Sequence, residues 1–148
     1  MTTIPHVIAG AAVGSLAPNL PVAIAVGFFS HFVLDFIPHW DPLFDKNPKR
    51  FSRNKLIFIF LLAVDLGISF AILVYLFEHP QMFLGGIAGI LPDVDNFLQY
   101  KLRGFPLLSK IGINIHDGNS LWHNNTKFIY AVFTQGIVTL IGLYIISR

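Results

Sequence analysis

Long apolar runs separated by short polar breaks make up this chain, and the longest runs lack the one-sided polar stripe of a helix on a water-soluble protein. From Leu56 to Phe77 the sole charge is Asp65. At about 1.5 Å per residue this run is long enough to cross a hydrocarbon layer of about 30 Å. Residues 128–146, bounded by Lys127 and Arg148, carry no charge and read as a second full span. Three shorter runs precede or separate these two. Ile4–Ala17 is closed by Pro18, Leu20–Ile37 by Pro38, and Phe83–Leu91 by Pro92. Each proline disfavours helical geometry in the residue before it, so tilted or broken helices are expected there. The pattern predicts an all-α fold: an integral membrane helical bundle of about five transmembrane or partly spanning helices, forming one domain over residues 1–148.

Composition supports that expectation. The 148 residues are 54% hydrophobic and 12% charged, with a mean hydropathy of +0.65; a soluble domain carries about a quarter of its residues as charges. The first residues, Met1 to His6, lack the basic region of a signal peptide, so the first apolar run is expected to be retained. The absence of cysteine excludes disulfides, thiolate metal sites and cysteine nucleophiles, which leaves histidine and aspartate to carry any metal chemistry. Nine of the ten basic residues fall in two loops: Lys46, Lys49, Arg50, Arg53 and Lys55 in one, Lys101, Arg103, Lys110 and Lys127 in or beside the other. With five spans both loops share a side with the N-terminus, and the positive-inside rule places that side in the cytoplasm of an inner-membrane, multi-pass protein. Trp40 and Trp122 fall near the expected membrane boundaries. No basic run is long enough to argue for nucleic acid, and a net charge of +2 is explained by topology or by attraction to anionic lipid.

The polar residues collect. His31 and Asp35 stand at i and i+4 on one helical face, with His39 and Asp41 just past Pro38. An imidazole and a carboxylate one turn apart can share a metal ion, or form a hydrogen bond that holds two helices together. Leu91-Pro92-Asp93-Val94-Asp95 reads as a counterpart that ends its own apolar run on the same side. A third group, His116-Asp117 with His123, precedes the last span, and His6 opens the first run on that side. Ionisable groups in membrane segments are costly and mark function by default. Asp65, about 14 Å along its span, is either a structural hydrogen-bond acceptor or a deep partner of His31. His79 reads as interfacial. The glycines within the apolar runs, Gly10, Gly14, Gly27, Gly85, Gly86 and Gly89, permit close helix approach. Besides a purely structural membrane protein with a metal or polar cluster, two functions fit: hydrolysis assisted by one to three divalent ions, or an ion or proton pathway. Charges gathered on one face favour the enzyme, since a pathway needs them through the full depth.

Phe29-Ser-His-Phe-Val-Leu-Asp-Phe-Ile-Pro-His39 resembles the His-x-x-x-Asp…Pro…His helix of the all-helical zinc-dependent phospholipase C and single-strand nuclease superfamily. The whole chain is similar to its membrane-bound relatives, the YdjM-like metal-dependent hydrolases. The matching elements are Pro5-His6 with Gly10 and Gly14, Ser30-His-Phe-Val-Leu-Asp35, Pro92-Asp-Val-Asp95, and the loop from His116 to His123. In those relatives the Pro-Asp-x-Asp follows the first helix, where this chain has Ala17-Pro18-Asn19. Taken with the residue reading, the resemblance implies a cytoplasmic-face metal site with His31, Asp35, His39 and Asp93 as first ligands. His6, Asp41, Asp95, His116 and His123 form a second tier. Zinc is the expected metal, with manganese or iron compatible. Asp41 or Asp95 would serve as general base, a second metal or Lys110 as the partner of a phosphate oxygen, and Asn124 and Asn125 as orienting groups. The expected substrate is a phospholipid or other amphiphilic phosphoester of the membrane.

Overall fold

Thr3–Ser15 forms α1 and Leu20–Asp35 forms α2, joined by a tight turn in which Leu16 N donates to Val13 O and Ala17 N to Gly14 O. The computed structural model describes residues 1–39, 55–102 and 128–148, and within these not the side chains of residues 55, 57–58, 95–102 and 128. Asn19 opens α2 by accepting from Val22 N at 3.0 Å, with Pro21 in the first turn, where its missing amide costs nothing. Gln81 Nε2 donates to Ala17 O at 3.1 Å, which ties this turn to the far chain. Lys55–Tyr75 forms α3 and runs into a short 3₁₀ turn, Leu76–Glu78. Pro80–Leu102 forms α4 and Phe128–Ile146 forms α5. Every described element is helical.

Four of these elements match the expected runs closely. The fourth does not: Pro92 does not end it but sits inside α4, buried. Proline in a helix interior removes one amide bond. Inside a packed bundle that loss is tolerated where neighbouring helices occupy the freed groups, and α4 packs on both α1 and α2. Asp93 therefore lies in mid-helix rather than at a helix end.

α1 is the central element. It contacts all four other helices, and its residues are buried nearly all round, from Pro5 through Gly14. α1, α2 and α4 pack backbone to backbone along a seam of glycines. A Cβ on Gly85 would collide with the carbonyl of Gly10, and one on Gly10 or Gly27 with the carbonyl of Gly85. A Cβ on Gly89 would stand 2.6 Å from His6 O. The small residues read from the sequence as packing positions do that work here.

α3 and α5 flank α1 and present apolar surface outward. The windows Ile59–Glu78 and Ile129–Ile146 are long and apolar enough to cross a membrane by length and composition, and each is 11% buried. Phe60, Phe70, Phe133 and Leu140 are each at least 65% exposed. Among the described residues, the buried polar and charged side chains are His6, His31, Asp35, His39 and Ser69. Apolar outside and ionisable inside is the reverse of a water-soluble fold.

Candidate metal centre

Four stretches of backbone deliver the five side chains of the cluster. His6 comes from the second turn of α1, His31 and Asp35 from the last turns of α2, His39 from the segment just past it, and Asp93 from the middle of α4. The i, i+4 spacing on α2 puts His31 Nε2 3.3 Å from Asp35 Oδ2. His39 Nε2 approaches Asp35 Oδ1 at 3.7 Å. The His39 segment is fastened to α5, where Thr134 Oγ1 donates to Pro38 O at 2.7 Å.

Two imidazoles have their tautomer set by backbone carbonyls. His31 Nδ1 lies 2.9 Å from Gly89 O, and His39 Nδ1 lies 2.8 Å from Ile37 O. A carbonyl can only accept, so each Nδ1 carries a proton and each neutral ring presents its Nε2 lone pair inward. This is the arrangement by which metal-binding histidines are oriented. His6 stacks on His31 with ring centroids 4.1 Å apart, and its Nδ1 is buried with no hydrogen-bond partner among the described residues.

The separations between the inward atoms discriminate between a hydrogen-bonded cluster and a ligand set. His6 Nε2 is 3.5 Å from Asp35 Oδ1 and 3.9 Å from Asp93 Oδ2, and His31 Nε2 is 3.7 Å from Asp93 Oδ1. Hydrogen bonds between such groups run about 2.7–3.0 Å. Four ligands at about 2.0–2.1 Å from a zinc ion would stand roughly 3.3–3.5 Å from one another by tetrahedral geometry. The observed spacings fall at or just beyond the ligand value. One donor atom each from His6, His31 and Asp93 lies within 4.8 Å of the other two. Two carboxylates against the Met1 ammonium, 3.3 Å from Asp35 Oδ1, leave the pocket net negative when the imidazoles are neutral. The donor set therefore fits a divalent cation in charge, chemistry and spacing.

His6, His31, Asp35 and His39 are buried, whereas the Asp93 side chain is 25% exposed.

Of the residues expected from sequence, the structure brings together His31, Asp35, His39 and Asp93, and it moves His6 from the second tier to the centre. Asp95 lies in α4 two residues past Asp93, but its side chain is outside the description. Asp41, His116 and His123 lie outside the described residues, as do Lys110, Asn124 and Asn125. His79 is exposed beside the 3₁₀ turn, joined to its own helix end. Asp65 is a structural acceptor: its two oxygens accept from Thr3 N at 2.8 Å and Ile4 N at 3.2 Å, capping α1 from another helix. Sequence reasoning missed Gln135, whose Oε1 accepts from Thr2 N at 3.2 Å and from Thr2 Oγ1 at 2.7 Å. Its signal was available: an amide in the middle of an uncharged apolar run seeks a partner.

Fold and site together define an all-helical bundle with a buried histidine–aspartate cluster suited to a metal ion. No protein-family model, curated protein or solved structure matches the chain.

Proposed function

We propose that this chain is a membrane-embedded, metal-dependent hydrolase that acts on a phospholipid or another amphiphilic phosphoester. The observation that carries the reading is the convergence of Nε2 from His6 and His31 on Asp35 and Asp93 at 3.3–3.9 Å, with His39 Nε2 3.7 Å from Asp35. His6, His31 and Asp93 would hold the ion, with Asp35 and His39 beside them; zinc is the first choice and manganese or iron is compatible with the same donors. A divalent ion in such a site polarises a phosphoryl oxygen and lowers the pKa of water. The residues supply the rest. Asp93, at the accessible edge, meets an entering headgroup first, and Asp41 and Asp95 are the proposed general bases.

Membrane embedding is supported by the outward apolar faces of α3 and α5 and by the thinness of their burial. In this reading the windows Ile59–Glu78 and Ile129–Ile146 span the bilayer, and the basic loops of residues 40–54 and 103–127 lie in the cytoplasm. A site opening at the cytoplasmic interface of such a bundle meets lipid headgroups first, which favours an amphiphilic phosphoester over a soluble one. The resemblance of Ser30-His-Phe-Val-Leu-Asp35 and Pro92-Asp-Val-Asp95 to motifs of the YdjM-like hydrolases points to the same reaction class.

Plasma mass spectrometry on tag-free protein purified in detergent tests the first half of this reading, and a phosphoester screen in mixed micelles the second. One to three zinc or manganese ions per chain with turnover of an amphiphilic phosphoester is the expected result. A chain that stays metal-free after reconstitution overturns the metal site. Stoichiometric metal without turnover, but with ion flux in proteoliposomes, moves the function to transport.

A further inference from the structure

α1 has thirteen residues, about 20 Å at a rise of about 1.5 Å per residue, and is too short for a hydrocarbon core of about 30 Å. Its first turn begins among the other helices, where the leading amides of a helix have no partners of their own. In an apolar setting each such amide must be met. The α1 cap residue, Thr2, gives no side-chain cap. The flanking helices supply it instead: Asp65 from α3 takes the amides of Thr3 and Ile4, and Gln135 from α5 takes the amide and hydroxyl of Thr2.

His6 follows one turn later. His31 and His39 are each held by a carbonyl on Nδ1, but His6 Nδ1 has no such partner among the described residues. Stacking on His31 fixes the His6 ring sideways, while Gly89 packs against the His6 backbone carbonyl. Along the helix axis its place follows the backbone of α1, and that backbone is anchored by the clamp.

Resting on the reading that the cluster binds a metal, we propose that Asp65 and Gln135 are positioning residues for it. By setting the depth and rotation of α1 they place His6 Nε2 against Asp35 and Asp93. Asp65, which the sequence left between a structural acceptor and a deep partner of His31, thus acts on the site through the helix and not through the ring.

The experiment compares full-length wild type with Asp65→Ala, Asp65→Asn and Asn19→Ala in detergent. Zn²⁺ affinity is measured by chelator competition, and the visible absorption of the Co²⁺-loaded protein reports ligand geometry. Asp65→Ala is expected to weaken Zn²⁺ binding about tenfold or more, the usual range for groups that orient ligands, and to change the Co²⁺ spectrum. Asp65→Asn, which keeps one carbonyl acceptor, should fall between it and wild type. Asn19→Ala removes a comparable cap at the remote end of α2 and should leave both readouts unchanged. In a His6→Ala background, Asp65→Ala should weaken binding no further, because residues acting through one another are not additive. Wild-type affinity and spectrum in folded Asp65→Ala protein would overturn the proposal, as would an equal loss in Asn19→Ala or full additivity with His6→Ala. If Asp65→Ala does not fold, Asp65→Asn and Gln135→Leu carry the comparison. A wild-type chain that binds neither ion defeats the metal reading itself, a different failure from a metal-binding chain indifferent to Asp65.

Discussion

Asp35 is shared more widely than any other described side chain of the cluster. Its Oδ1 faces the Met1 ammonium at 3.3 Å, His6 at 3.5 Å and His39 at 3.7 Å, while Oδ2 faces His31 at 3.3 Å. Alanine at Asp35 or His31 should therefore reduce bound metal to background by mass spectrometry, with helical content by circular dichroism unchanged. His79→Ala, on an exposed turn, should keep the wild-type stoichiometry. His31 and Asp35 were legible from their one-turn spacing, and His39 from the proline that releases the chain beside them. His6 ranked lower in sequence because nothing within its own helix marks it out. Its importance comes from α4 and α2, which close on it through Gly89 and His31.

At the scale of elements, the glycine seam and the outer glycines make opposite predictions. Gly85→Ala forces a methyl into the backbone of α1 and should lower stability by about 1–3 kcal/mol, as overpacking does. Gly67 and Gly136 have nothing within 4 Å of an added Cβ. Alanine there should be neutral or stabilise by up to about 1 kcal/mol through helix propensity. Denaturation midpoints in a fixed detergent check both, and equal effects at Gly85 and Gly67 would contradict the seam. Helix existence was legible for the described runs, because an uninterrupted apolar run of about twenty residues is long for a strand and satisfies its own backbone as a helix. The length of α4 was not. Local rules give proline a boundary role, whereas the packing of α1 and α2 against α4 lets the helix continue past Pro92 and carries Asp93 inward.

For the whole molecule, the orientation of its polarity separates a lipid environment from an aqueous one. Ile137 is 55% exposed at the centre of α5. In a bilayer, Ile137→Arg should cost about 2.5–3.5 kcal/mol of apparent insertion free energy, read by glycosylation mapping of α5 in a translocation assay. In water the same change would improve solubility and leave the fold intact, so undiminished insertion or detergent-free soluble protein would refute the membrane assignment.

Taken by itself, the sequence determined the all-helical class, the two long apolar helices, and most of the residue types gathered at the centre. These follow from properties local to the chain: run length, charge content and the spacing of one helical turn. Tertiary structure decided which groups meet and how deep they lie. Asp93 joined the cluster because α4 does not stop at Pro92. His6 became central because α1 begins partway along its neighbours, held there by Asp65 and Gln135 from helices far away in the chain. Contacts between residues more than sixty or a hundred positions apart depend on how helices dock, and docking is set by close backbone approach at the glycine seam, which no single helix can register alone.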